Sequence, residues 1–222
     1  YLMENQDYYL NFYKEWLAPH ERSEYLKPFN HAVIFCREGD LKQNEKDFLD
    51  ENQSAYISAP IDLTAGQNGA LLWFWELVDL KNNDTRLSGG IPSQKIEISE
   101  LISIPSQPEA SLIRCDTVSF PPSGCAFTHT HAGPGIRVLL DGGIRIDGEQ
   151  SSNEYRAGDA WFENGIEPVF AQAQGGSVSS FIRVMILPSK FIGKTSITYV
   201  NEEDMEKQKT QIYKGYIDEP LE

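Results

Sequence analysis

The chain has 222 residues, 40% of them hydrophobic and 11% aromatic, a composition that suits a globular fold with a sizeable core. Its net charge of −14, from 19 basic and 33 acidic side chains, sets up a field that repels phosphate and so argues against nucleic acid or an anionic membrane as partner. No segment approaches the ~20 apolar residues of a membrane-spanning helix, and Cys36, Cys115 and Cys125 have neither metal-ligand nor redox spacing, so no disulfide framework is implied.

Residues 1–28 read as helical. Leu2, Leu10, Tyr13, Trp16 and Leu17 recur at roughly helical spacing, Ala18-Pro19 supplies a stop, and 20-HERSEYLK-27 offers a second start before Pro28. The aromatics Tyr8, Tyr9, Phe12, Tyr13 and Trp16 would dock such a helix on the rest of the protein. The apolar, β-branched run 31-HAVIFC-36 predicts a strand, and residues 39–52 suit a helix or an exposed loop.

From residue 54 the pattern turns to β. Strands are predicted at 55–63, 70–80, 94–104, 111–120, 125–131, 136–140, 143–147, 159–163, 168–173 and 178–187. Turn residues separate them at 82–84, 89–90, 121–122, 133–135, 141–143 and 175–176. Many short strands without intervening helices indicate an antiparallel sandwich or barrel. In 73-WFW-75, Trp73 and Trp75 share one face while Phe74 takes the other, so that strand is central or covered by a partner subunit. The charged stretch 201–211 suits a short exposed helix. The predicted organisation is an N-terminal helical extension over 1–53, a β-barrel over 54–200 and a C-terminal tail over 201–222.

The chemistry concentrates in 124-GCAFTHTHAGPGIRVLLDGG-143. Residues i and i+2 of a strand point to the same face, so His129 and His131 project together, with Phe127. Two imidazoles so placed can reach one ion, and imidazole suits Zn, Fe, Ni, Cu or Mn. The order Gly124, His129, His131, a tight turn and Gly142 resembles the first cupin motif, G-x5-H-x-H-x3,4-E-x6-G, with the leading spacing one residue short. The segment 158-GDAWFENGIEPVFA-171 resembles the second, G-x5-P-x-G-x2-H, with Gly158 in place, Asn164 at the proline and Gly165 one residue early.

That resemblance, covering about residues 110–187, implies a mainly β fold, an antiparallel double-stranded β-helix or jelly-roll barrel. It also implies a divalent metal (Zn, Fe, Mn or Ni) at the barrel mouth, a small-molecule ligand and a homodimer. Gly135 stands where the motif has its glutamate ligand and Pro168 where it has its second-motif histidine. Glu163 is the leading replacement ligand, followed by Glu167 and Cys125. Trp161 shares a strand face with Glu163 and is expected to line the pocket. Arg137, two residues from Gly135, would meet either an internal carboxylate such as Glu163 or an anionic ligand that it grips bidentately. Arg114, Arg145 and Arg183 also lie in predicted strands. Two functions follow as expectations. One is a cupin that binds a small anionic molecule at His129/His131, as a metal-dependent oxygenase, isomerase or lyase or with a histidine as general acid/base. The other is a non-catalytic cupin that binds a small molecule or serves as a structural dimer. The usual signatures of serine hydrolases, P-loop proteins, dinucleotide-binding folds and zinc proteases are missing from the sequence.

Overall fold

Residues 5–17, predicted as helix, form a strand, β1 (Asn5–Leu17). The computed structural model describes residues 5–25, 30–81, 96–107 and 110–221. Leu2, the turns at 82–84 and 89–90 and the first two residues of the strand predicted at 94–104 lie outside them. The strand at β1 has a physical cause. It pairs with β6 (Ile61–Asp79) along one edge and β7 (Ile96–Pro105) along the other, and over Leu10–Tyr13 side chains on both of its faces are buried. A strand buried on both faces loses the period-2 signal, and its leftover apolar spacing imitates a helix. The aromatic content, which favours pleated structure, was the overruled clue. The second predicted helix start likewise forms a strand, β2 (Arg22–Tyr25), paired with β6.

The chain divides into two compact units, Tyr1–Pro108 with Leu221–Glu222, and Glu109–Pro220. These limits differ from the expected divisions at 53/54 and 200/201. In the first unit, β3 (His31–Gln43), β4 (Lys46–Asp50) and β5 (Ser54–Ile57) complete a seven-stranded antiparallel sheet in the order β4-β3-β6-β1-β7, with β5 on β3. The polar stretch 39–52 is mostly a hairpin: Asn44 and Glu45 both take positive φ between β3 and β4, the geometry of a tight two-residue turn. Phe74 stacks between Tyr13 and Tyr25 on one face of β6, while Trp73 and Trp75 meet Phe12 on the other. The 73-WFW-75 strand is therefore central within its own sheet.

The second unit holds two five-stranded antiparallel sheets. One is ordered β13-β10-β15-β8-β17, the other β12-β11-β14-β9-β16. The strands are β8 (Ser111–Phe120), β9 (Cys125–His131), β10 (Gly135–Asp141), β11 (Gly143–Asp147), β12 (Ser152–Arg156), β13 (Ala160–Glu163), β14 (Val169–Ala173), β15 (Ser179–Pro188), β16 (Ile197–Tyr199) and β17 (Ile212–Pro220). A short helix, α1 (Glu202–Glu206), precedes β17, as the charged stretch suggested. Inward side chains of both sheets form one apolar cluster that includes Val118, Phe120, Ala126, Leu139, Ile144, Trp161, Ala171 and Phe181. A smaller cluster, Leu112, Met185 and Leu187, lies further along β8 and β15.

Strand parity explains the tier between those clusters. On β8, Arg114 and Asp116 fall between Leu112 and Val118 on the same face; on β15, Arg183 falls between Phe181 and Met185; on β10, Arg137 is two residues from Leu139. The interior thus carries a charged layer between two apolar ones. Isolated charges would not survive there. Arg183 instead pairs with Asp116 at 2.6 and 3.1 Å, and Arg114 with Asp218 of β17 at 2.9 and 3.2 Å.

Candidate functional site

Strand β9 is bulged just ahead of its histidines. Ala126 pairs with Ala171 and His129 with Val169, so β9 spends three residues where β14 spends two. The extra residue reverses the side-chain alternation. Ala126, His129 and His131 all face the interior, and Phe127 does not share their face as strict alternation predicts. Its ring lies outward under the ammonium groups of Lys207 and Lys209, at 5.0 and 5.3 Å. The same slip turns Cys125 away from His129, and Cys125 pairs with Gln172. Glu167 is exposed, its N–H donating to the Asn164 side chain, and it too is away from the histidines.

The bulge also orients His129. The ring nitrogen Nδ1 lies 2.6 Å from the Phe127 carbonyl, which can only accept, so Nδ1 carries the proton. Burial holds the ring's pKa below its ordinary value, so the neutral ring presents the Nε2 lone pair inward. His131 Nε2 is 3.2 Å from that atom and 3.4 Å from Glu163 Oε2. Burial pushes the His131 pKa down to about 3, against the hydrogen bond to Glu163, and its Nδ1 is buried without a hydrogen-bond partner.

Glu163 ends β13, directly across from Gly135 of β10. Arg137, from the next inward position of β10, reaches back to it with Nη2 at 2.8 Å from Oε2, while its Nη1 donates to the Gly135 carbonyl at 2.7 Å. Trp161 donates from Nε1 to the other oxygen, Oε1, at 2.8 Å. Burial alone would raise the Glu163 pKa. The charge of Arg137 and the hydrogen bonds from His131 and Trp161 outweigh it and hold the carboxyl well below the usual range. Burial lowers the guanidinium pKa of Arg137 only to about 10, so both partners stay ionised at neutral pH. The structure therefore brings His129, His131, Arg137 and Glu163 together. Trp161 supports Glu163 from the apolar cluster.

Gly135 cannot carry the glutamate that the first motif expects. A Cβ there would overlap the Val184 carbonyl and crowd Met185 on the neighbouring strand. At the second motif, the residue opposite His129 is Val169, one beyond Pro168, and it lines the cavity with an apolar side chain. Both missing ligands are thus replaced by groups without a donor atom. Among the described residues no group of three or more His, Cys, Asp or Glu side chains is arranged to hold a metal ion. The carboxylate oxygen that faces His131 is the one already held by Arg137. As it stands, the donor set does not fit a resident metal.

The four residues line an interior cavity of about 20 Å³, together with Phe120, Phe181, Arg183 and Val169. That is room for one or two waters. Adjoining it is a cleft of about 380 Å³, lined by Arg114, Cys115 and Asp116 of β8, Arg183 of β15, residues 193–197, and Tyr213, Ile217 and Asp218 of β17. Arg183, Ile197 and Tyr213 line both spaces. Motif reasoning did not single out Arg114, Arg183 or Asp116. The available signal was parity: in 111-SLIRCDTVSF-120, two charges share the face of Val118 and Phe120. Arg145, between inward-facing Ile144 and Ile146, pairs with Asp147 on the opposite face and plays no part here.

No family model and no curated protein matches the chain. Solved structures do. An oxalate decarboxylase of Lactobacillus farciminis in a formate complex superposes with a TM-score of 0.61 at 13% identity, covering 90% of this chain and 82% of that one. AerE of Microcystis aeruginosa gives 0.57 at 14%, covering 79% and 87%. A cupin 2 conserved barrel domain protein of Leptotrichia buccalis gives 0.50 at 13%, covering 82% and 89%. Two antiparallel sheets enclosing a polar tier, with H-x-H on an inward strand, and the likeness to these structures show that the chain has a cupin-type fold.

Proposed function

We propose that this chain is a small-molecule-binding cupin whose ligand occupies the cleft beside Arg183 and Tyr213, a small carboxylic acid with an apolar body. The observation that carries the reading is the contrast in volume: about 20 Å³ at the histidines against about 380 Å³ in the cleft. The second value is in the range of small-ligand pockets, the first admits only water or an ion. Of the two partners expected for Arg137, an internal carboxylate or an anionic ligand, Glu163 already supplies the first.

The charge balance of the cleft supports an acid. Three cations (Arg114, Arg183, Lys194) and two carboxylates (Asp116, Asp218) line it, which leaves one positive charge in a chain whose net charge is −14. Arg114 and Arg183 are each paired with an aspartate, and Arg114 also donates to the carbonyls of Phe191 and Lys194, so these two form rigid walls. Lys194, exposed at the rim, is the charge left over. Tyr213, under the Arg183 guanidinium at 5.6 Å, and Ile217 and Ile197 supply the apolar lining.

Ligand-observed NMR with matched acids, amides and amines of ten or so heavy atoms tests the proposal. Acids are expected to bind in preference, and Lys194→Glu to weaken them at least tenfold. Equal binding of amides, an unchanged Lys194→Glu, or binding that requires added metal and His129 would overturn it.

A further inference from the structure

The geometry points to a cryptic divalent-metal site in this barrel, His129, His131 and Glu163, that the guanidinium of Arg137 keeps closed to metal. The donors already converge. His129 Nε2 to His131 Nε2 is 3.2 Å and His131 Nε2 to Glu163 Oε2 is 3.4 Å. Ligands bound to one ion at about 2.0–2.2 Å stand about 3.0–3.5 Å apart, so these two separations match those between neighbouring ligands of one ion. All three side chains line one cavity of about 20 Å³, room for a single ion.

The supporting contacts agree. The Phe127 carbonyl fixes His129 with its Nε2 lone pair inward, which is the outer-shell contact that a metal-binding imidazole ordinarily has. His131 has a buried Nδ1 without a hydrogen-bond partner, so its proton can sit there and free Nε2 as a ligand. Trp161 holds the far oxygen of Glu163 and leaves Oε2 to point at His131.

What stands against an ion is Arg137. Its Nη2 lies 2.8 Å from Oε2, and the side chain is fully buried. A divalent cation about 4 Å away in this setting would lose about a millionfold in affinity to repulsion, taking an effective dielectric of about 20. The guanidinium supplies the positive charge that the carboxylate and the two imidazole lone pairs would otherwise draw from a metal. Arg137 thus acts as a built-in counter-cation. This stands independently of the ligand proposed for the cleft.

The test is zinc stoichiometry and thermal stability of the full-length protein, purified untagged, for wild type, Arg137→Met and Arg137→Met/His129→Ala. Wild type is expected to hold under about 0.1 zinc per chain and to show no rise in Tm when zinc is added. Arg137→Met is expected to take up about one zinc, with a Tm raised by several degrees, and the double variant to lose both. If Arg137→Met is unfolded without metal, zinc should restore its near-UV circular dichroism, and Arg137→Gln provides the same measurement. Stoichiometric, His129-dependent zinc in wild type overturns the proposal. So does failure of zinc to bind or refold either arginine variant.

Discussion

Substituting Glu163→Gln removes the charge on which the interior site depends. Arg137 and Trp161 contact different oxygens of Glu163, each at 2.8 Å, so the single amide oxygen of glutamine keeps one of them as an acceptor while the shape is preserved and the negative charge goes. On the surface such a loss would cost under about 1 kcal/mol. Here the side chains of Arg137 and Glu163 are 1% and 10% exposed, and the change strands a guanidinium away from water. Removing one partner of a buried pair costs about 3–5 kcal/mol, and the preserved shape with one surviving acceptor places the expectation near 3. Against a total stability of about 5–15 kcal/mol, this is a large fraction. Urea unfolding at pH 7 reads it out: with m near 2 kcal/mol/M, the midpoint should fall by about 1.5 M. The double variant Glu163→Gln/Arg137→Met removes both charges and should be destabilised by at least about 2 kcal/mol less than the sum of the two single variants. A Glu163→Gln protein within about 1 kcal/mol of wild type at unchanged m would refute the reasoning.

Stability should fall as pH drops below about 6.5. The native pKa of His131 is pushed down to about 3, so between these values the unfolded chain binds a proton that the native state refuses, and stability is lost at about 1.4 kcal/mol per pH unit. Chemical denaturation at pH 6.5 and 5.0 should differ by about 2 kcal/mol more in wild type than in His131→Gln, and identical slopes would contradict a buried neutral ring. Gly135→Ala should destabilise by about 2 kcal/mol, because the new methyl overlaps the Val184 carbonyl of the paired strand, and thermal melting measures it. Retention of the wild-type Tm would show that β15 yields easily there.

The polar tier turns a familiar sequence motif to a different end. With glycine and proline at two of the expected donor positions, the pair of histidines is left facing a carboxylate that belongs to an arginine. The pairing of Arg183 with Asp116 and of Arg114 with Asp218 extends the same solution along β8. Each cation inside this barrel has its own carboxylate. None of the three needs a ligand to be tolerated there, which is why the wider cleft, with its one extra charge, is the better place for a ligand.

Much of the barrel was legible in the chain itself. Alternation and turn residues located most strands between 111 and 188, because each of these strands has an inner row of apolar residues or turns bounded by Gly, Pro, Asn or Asp. The pairing of His129 with His131 followed from strand parity alone, as did the internal partner offered for Arg137. Tertiary structure decided the rest. Residues 5–17 are a strand because β6 and β7 pair along both edges, a fact that local spacing cannot carry. Phe127 leaves the site because one extra residue in β9, visible only against β14, reverses the alternation. Val169, not Pro168, meets His129 because register is a property of two strands together. Residue types fixed which groups could act; pairing and burial decided which of them meet, and with what charge.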